Sequence, residues 1–236
     1  MNGFFITATD TDVGKTLVAG GIASAFRNRG IDIGVYKPLQ SGHLANDEKG
    51  DAARLKRLSE IEDGIADICP YSFSEPLAPA LAIARQGQAI ATADLVAHAQ
   101  KLANRHTYLI VEGAGGLAVP YASDGLVVDF AKELRLPLLI VARPNLGTVN
   151  HSVLTIEYAR SHGLSVLGVV ISGFQKETDD LSQETNAEMI ANLGKVPILG
   201  VLPWLGDDPP PQIVREAVEK HVAIDHIFQM VSVLHH

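Results

Sequence analysis

Short apolar runs alternate along this chain with longer amphipathic stretches. Runs such as 108–111 and 138–141 would be buried on both faces, which is typical of strands in a parallel sheet. The pattern predicts six strands, at 3–8, 33–37, 107–112, 137–142, 165–171 and 197–202. It also predicts seven helices, at 14–29, 51–59, 93–104, 126–134, 149–162, 182–193 and 211–220.

This alternation of strand and helix predicts an α/β fold of three layers, in which helices cover both faces of a doubly wound, mostly parallel sheet. No linker or shift in composition divides the chain, so we expect residues 1–236 to form a single domain. The polar segments 43–50 and 172–181 are predicted to be surface loops. Ligands of such folds bind beyond the carboxyl ends of the strands, so the residues that follow each strand are the candidates for chemistry.

The first predicted strand is followed by the segment 9–16, Thr-Asp-Thr-Asp-Val-Gly-Lys-Thr, which leads into a helix. This is the layout of a phosphate-binding loop (P-loop), in which Lys15 contributes positive charge and Thr16 can offer its hydroxyl to Mg²⁺. The usual first glycine of the motif is absent, and Asp10 and Asp12 place carboxylates beside the expected phosphates. The segment predicts a P-loop NTPase-like triphosphate site whose carboxylates face away, meet a metal or meet a cationic substrate.

Polar residues also follow the next two strands. Lys37 could stabilise a transferring phosphoryl group or hold a bound acid, although a solvated lysine at the sheet edge would give the same pattern. Glu112, before the glycine-rich turn 113–116, occupies the position from which P-loop proteins hold Mg²⁺, or it caps the turn. Asp51, at the start of a predicted helix, is equally well explained as an N-cap residue, and Asp47 competes with it for any role as a ligand.

Two further segments could contact a ligand. Gly147 and Thr148 precede a predicted helix, where free N–H groups could bind an anion or Thr148 could be an ordinary N-cap. After the last predicted strand, Pro203 and Trp204 begin a flat apolar segment that could flank a purine. The sequence alone does not separate that role of Trp204 from packing in the core.

Charge and composition exclude several classes of partner. The net charge is −8 and no run of Lys or Arg is present, so nucleic acid and anionic membranes are not expected as partners. No secretory signal or membrane-spanning run is recognisable, so we expect a cytoplasmic protein. The single cysteine, Cys69, rules out an intramolecular disulfide, agrees with a reducing compartment and is expected to have a structural role only.

Five motifs, in the same order and at similar spacing, resemble those of the dethiobiotin synthetase family. They are the segment 7–16, Tyr36-Lys37-Pro38 with Ser41-Gly42, the segment 111–116, Leu146-Gly147 with Asn150-His151, and Pro203-Trp204-Leu205. The resemblance implies a P-loop enzyme that uses ATP and Mg²⁺ to convert 7,8-diaminopelargonate and CO₂ into dethiobiotin, ADP and phosphate. One amine would take up CO₂ as a carbamate, the carbamate would attack the γ-phosphorus, and the second amine would close the ureido ring.

The same resemblance implies roles for individual residues. The catalytic residues would be Lys37, Lys15 and Thr11, and the Mg²⁺ ligands would be Thr16, Asp51 and Glu112. The nucleotide would contact Asp12, Val13, Gly14, Lys15, Thr16, Leu17, Asp51, Glu112, Gly113, Ala114, Gly115, Ser172, Gly173, Pro203, Trp204 and Leu205. The diamine would contact Thr11, Lys37, Ser41, Gly147 and Asn150. Since Gly147 and Asn150 would come from a second subunit, the resemblance implies a homodimer with active sites at the subunit interface.

The chain departs from the family pattern near the expected adenosine. Ser172 and Gly173 stand where the family has an Asn-Asp pair that recognises adenine, so the sequence predicts no strong preference for ATP over other triphosphates. Pro210 stands where the family has an acid, for which Asp207 or Asp208 could substitute.

The sequence leaves two alternative functions. Partitioning and nitrogenase-iron-protein ATPases also use a P-loop, but as dimeric switches, and their loop has a signature lysine close to position 10, where this chain has Asp10. A non-catalytic nucleotide-binding module would fit the altered adenine contacts. Such a module would have no need for Lys15, Lys37 and Glu112 together, so the presence of all three argues against it.

Overall fold

The computed structural model describes residues 1–233 of the chain. Its strands are β1 (Gly3–Ala8), β2 (Ile33–Tyr36), β3 (Leu39–Ser41), β4 (Tyr71–Phe73), β5 (Tyr108–Glu112), β6 (Pro120–Ala122), β7 (Gly125–Leu126), β8 (Leu138–Ala142), β9 (Val166–Phe174) and β10 (Ile198–Pro203). Its helices are α1 (Lys15–Asn28), α2 (Asp51–Ser59), α3 (Ile65–Ile68), α4 (Pro79–Arg85), α5 (Thr92–Ala103), α6 (Val127–Leu134), α7 (Thr148–Ser161), α8 (Ser182–Gly194), α9 (Pro211–His221) and α10 (Ile224–Val233).

Six strands form the main sheet in the order β10-β9-β8-β1-β5-β2, and every neighbouring pair is parallel. From β1 the chain passes to the edge strand β2 and then places β5 between these two strands. It then crosses to the other side of β1 and adds β8, β9 and β10 in order. This confirms the predicted doubly wound α/β sheet. Two small sheets, β3 with β4 and β6 with β7, lie outside it.

Alternating side chains of the central strand explain the three layers. In β1, Phe4 and Ile6 pack on one face with residues of α1, α2, α9 and α10, whereas Phe5 packs on the other face with residues of α5 and α6. Successive side chains of a strand point to opposite faces, so a fully apolar strand needs a helical layer on each side. A third cluster joins β8 and β9 to α7 and α8.

The structure differs from the predicted elements mainly at short segments. The sequence predicts a surface loop at 172–181, and this is wrong for its first residues, because strand β9 continues through Phe174 and includes Ser172 and Gly173. Helix α10 and the short elements α3, α4, β3, β4, β6 and β7 were not predicted. Cys69 is buried, and its thiol donates a hydrogen bond to the Tyr71 carbonyl at 3.4 Å.

Within residues 1–233, none of the helices combines the length and the apolar character needed to cross a membrane.

Candidate active site

A cavity of about 1070 Å³ opens at the carboxyl edge of the main sheet. It is bounded by the segments that follow β1, β2, β9 and β10, which agrees with the edge expected for this fold. The predicted site residues that line it are Thr11, Asp12, Val13, Gly14, Lys15, Thr16, Leu17, Lys37, Ser41, Asp51, Ala114, Gly115, Ser172, Gly173, Pro203, Trp204 and Leu205. Glu112, Gly113, Gly147 and Asn150 are not among the lining residues.

The P-loop turns sharply into α1. Gly14 immediately precedes the helix with a left-handed φ of 93°. A Cβ atom at this position would lie 2.6 Å from the Ser172 hydroxyl, so both the backbone conformation and the space require glycine. Ser172, near the end of β9, therefore lies directly against the loop that should hold the phosphates.

A single carboxylate joins the P-loop to the ends of two strands. The Oε1 atom of Glu112 accepts a hydrogen bond from the Thr16 hydroxyl at 2.8 Å and another from the Lys37 ammonium at 2.8 Å. The Lys37 ammonium also lies 2.9 Å from Asp51 and donates to the Gly113 carbonyl at 3.0 Å. Lys37 and Glu112 are almost completely buried, so the sequence alternative of a solvated edge lysine is wrong.

The pKa values of these buried groups depend on one another. Burial by itself would lower the pKa of Lys37, but the carboxylates of Asp51 and Glu112 outweigh this effect and raise it above its ordinary value. The positive charge of Lys37 in turn lowers the pKa of Asp51 to about 2. Lys15 has a lowered pKa because it is desolvated by burial and repelled by Lys37. Lys37 is therefore held as an ammonium in a site with little access to water.

The donor set at this point fits a magnesium ion. The Oε2 atom of Glu112 is enclosed and has no hydrogen-bond partner among residues 1–233, which leaves a buried carboxylate oxygen available to a cation. Asp51 lines the cavity, whereas Asp47 is bonded to His43 and to the Lys49 N–H and lies outside it, so the geometry favours Asp51 as a ligand. No group of three or more His, Cys, Asp or Glu suited to a metal occurs in residues 1–233. Few protein ligands are usual for Mg²⁺, which keeps waters and binds substrate phosphates.

Asp10 has a partner that sequence reasoning missed. Its carboxylate forms an ion pair with Arg143, at the end of β8, and accepts a hydrogen bond from the Thr11 N–H at 2.8 Å. The Thr11 N–H, together with Arg143, lowers the pKa of Asp10 below its ordinary value. The Asp10 carbonyl also accepts a hydrogen bond from the Lys15 ammonium at 3.3 Å. A side chain of the protein is therefore one partner of the Asp10 carboxylate, and the sequence analysis did not include this possibility.

The far end of the cavity is formed by the ends of β9 and β10. The backbone N–H of Trp204 donates a hydrogen bond to the Phe174 carbonyl at 2.8 Å, and this bond joins the two segments. The Trp204 side chain lines the cavity and the residue is 54% exposed, so it is not core packing. Asp208 pairs with Arg57 on α2, whereas Asp207 lines the cavity.

Two predicted substrate residues lie away from the cavity of their own chain. Gly147 precedes α7 with a left-handed φ of 94°, and Asn150 lies in the first turn of that helix. Both are exposed at the surface. One chain by itself therefore does not bring them to the groups around Lys37.

Comparison with known proteins identifies the family. A family model described as an AAA domain (AAA_26) matches residues 2–212. The ATP-dependent dethiobiotin synthetase BioD of Bacillus cereus (strain ATCC 14579) is 53% identical over 232 residues, which are 98% of this chain and 96% of that protein. The protein of the same name from Bacillus thuringiensis (strain Al Hakam) is 53% identical over 231 residues, covering 98% of this chain and 95% of that one.

Solved structures agree on the fold. A chain of the MinC:MinD cell division protein complex of Aquifex aeolicus superposes with a TM-score of 0.62 at 16% identity, over 98% of this chain and 96% of that one. The cell division ATPase MinD of Pyrococcus furiosus gives a TM-score of 0.56 at 14% identity, over 98% and 100% of the two chains. These low identities show a shared P-loop architecture only. The full-length similarity to the Bacillus proteins shows more: this chain belongs to the family of ATP-dependent dethiobiotin synthetases.

Proposed function

We propose that this protein uses ATP to join CO₂ to 7,8-diaminopelargonate and to close the ureido ring of dethiobiotin, with release of ADP and phosphate. The observation that carries the proposal is the shared carboxylate of Glu112, which bonds both to Thr16 of the P-loop and to Lys37. A buried ammonium linked in this way to a P-loop residue supports a role for Lys37 at the terminal phosphate. The family membership supplies the identity of the substrates.

On the phosphate side, the backbone N–H groups of 12–17 and the Lys15 ammonium would bind the triphosphate. Thr16, Asp51 and Glu112 would hold Mg²⁺, which supplies positive charge to the phosphate oxygens when it is bound. Lys37 would donate hydrogen bonds to oxygens of the transferring phosphoryl group and of the carbamate, where negative charge develops. Its raised pKa favours this role because it keeps the side chain protonated.

On the substrate side, hydroxyl groups and one carboxylate are available. Thr11 and Ser41 line the cavity and would bond to the carbamate or to an amine nitrogen. Asp12 also lines the cavity, is exposed, and has a left-handed φ of 55°. With Asp10 already paired, Asp12 is the P-loop carboxylate that would face a substrate ammonium.

We further propose that the protein acts as a homodimer whose active sites lie at the subunit interface. Gly147 and Asn150 would then use the start of α7 to bind the substrate carboxylate in the partner's cavity. Leu146, just before α7, is 82% exposed and Leu154, on α7, is 60% exposed, which supports an apolar contact here. The single-domain organisation and the cytoplasmic location stay predictions.

A phosphate-release assay tests the function. Purified protein is incubated with Mg²⁺ and ATP, and the diamine or bicarbonate is omitted in turn. We expect phosphate release only when both are present, because the carbamate is the nucleophile that attacks the γ-phosphorus. Release that is indifferent to both would indicate a switch ATPase, and no release under any condition would indicate a non-catalytic module.

A further inference from the structure

The far end of the cavity has to bind whatever extends beyond the triphosphate. Ser172 touches the P-loop at Gly14, and β9 then leads away from it to Gln175. The Phe174 carbonyl accepts the backbone N–H of Trp204 at 2.8 Å, and Gln175 is the next residue of the chain, so Gln175 lies at the end of the cavity that Pro203 and Trp204 line. On the proposed nucleotide site, this is the region where a nucleobase would lie.

Gln183, in the first turn of α8, lines this part of the cavity although the residue is only 6% exposed. Its Oε1 atom accepts a hydrogen bond from the Gln175 backbone N–H at 3.0 Å. A backbone N–H can only donate, so this contact settles which end of the amide is oxygen and which is nitrogen. The side chain is therefore held in one orientation by a neighbour at the end of β9.

The other end of this amide is available to a ligand. Within residues 1–233, Nε2 of Gln183 has no hydrogen-bond partner, and it is not among the fully enclosed unpaired atoms. An N–H donor that is accessible from a cavity but not bonded by the protein is suited to an acceptor on a bound molecule. Trp204 and Pro203 line the same cavity and provide a flat apolar surface there.

We infer that Gln183 contacts the nucleobase of the bound triphosphate and contributes to base preference, with Nε2 donating to a ring nitrogen or carbonyl oxygen of the base. The inference rests on the proposed nucleotide site. Gln183, on α8, would then supply the side-chain amide that is missing at Ser172 and Gly173, where the family has an Asn-Asp pair. A glutamine amide can pair with both an acceptor and an amino group of adenine, since Oε1 keeps a second lone pair. The absence of an Asn-Asp pair then does not abolish recognition of the base.

The substitution Gln183→Glu separates this role from a structural one. A carboxylate can still accept the Gln175 N–H, but it has no N–H to donate and it repels an acceptor on the base. We expect ATP to bind about tenfold more weakly to the variant. Inorganic triphosphate, which has no base, should bind as it does to the unchanged protein. Both affinities are measured by calorimetry in the presence of Mg²⁺.

Two further variants complete the test. Gln183→Met removes the donor without adding charge and should also weaken binding of ATP but not of triphosphate. Gln100→Ala removes an exposed amide on α5, outside the cavity, and should leave both affinities unchanged. Unchanged ATP affinity in both Gln183 variants would overturn the inference. So would equal losses for ATP and triphosphate, which would make Gln183 a purely structural residue, or an equal loss of ATP affinity in Gln100→Ala.

The outcome is independent of the proposed reaction. The affinities compare ATP with triphosphate and need neither diamine nor bicarbonate. If phosphate release did not depend on those substrates, the proposed function would fail while the comparison of affinities would still decide the role of Gln183.

Discussion

At the phosphate end of the cavity, Lys37 and Glu112 are almost completely buried and bonded to each other. At the opposite end, Trp204 is 54% exposed and Gln183 has an N–H donor that no residue between 1 and 233 accepts. The first region places charges that neutralise one another before any ligand arrives. The second region offers neutral groups and an accessible surface.

The difference indicates how the two ends would contribute to binding and reaction. Buried charges held in one arrangement stabilise developing charge strongly, because the surrounding dielectric is low and the groups need little reorganisation. Neutral amides and an exposed ring contribute modest binding energy and adapt to different ligands. We therefore expect substitutions at the phosphate end to affect turnover and those at the base end to affect affinity.

The largest effect is expected from Lys37→Ala. Turnover should fall by about a thousandfold while the affinity for ATP changes far less, because the ammonium acts on charge that develops during the reaction. Steady-state turnover and ATP binding are measured on the same preparation. The exposed residue Lys49 provides the control, and Lys49→Ala should change neither quantity. Equal losses of affinity and turnover would contradict the difference between the two ends.

An intermediate effect is expected from Glu112→Gln, which keeps the shape of the side chain and removes its charge. The concentration of Mg²⁺ needed for half-maximal phosphate release should rise by about 10- to 100-fold, since a proposed ligand is weakened. A titration with Mg²⁺ at saturating ATP measures it. Glu62→Gln, at an exposed position, serves as the control. An unchanged Mg²⁺ requirement would remove Glu112 from the proposed ligand set.

The smallest effect is expected from the ion pair of Arg143 and Asp10, because it is partly exposed. The pair therefore tests whether burial determines how much an ion pair contributes to binding. Arg143→Met should weaken binding of ATP by about fivefold or less, because solvent screens such pairs. The variants Arg143→Met, Asp10→Asn and the double variant form a cycle. If the pair acts as a unit, the double variant should lose no more than either single one. Additive losses would show that the two side chains act separately.

The sheet was predictable because its strands are buried on both faces. Runs such as 108–111 are apolar throughout, and helices such as α6 have a clear apolar face, so their type and order follow from the sequence. The short elements have no such periodicity. Strand β4 has three residues and α3 has four, too few to show a repeat. Helix α10 was missed although it contributes Ile227 and Val231 to the core.

The candidate site was predictable where a motif carries its own chemistry, as in Lys15, Thr16 and Glu112. Contacts between residues distant in the chain were not. Arg143 pairs with Asp10 across 133 positions, and nothing in the local sequence of either residue indicates the other. Gln183 could not be identified from the sequence for a related reason. It lies in an ordinary helix, and only the bond to Gln175 shows which way its amide faces.

The lone thiol of the chain has a practical consequence. Cys69 is buried and bonded to a carbonyl, and burial raises the pKa of its thiol to about 12. Only the thiolate reacts readily with maleimides, so the unmodified protein should resist such labels at neutral pH. A cysteine introduced at a chosen exposed position would then be the one site for a fluorophore, and two of them would allow distance measurements without removal of the native residue.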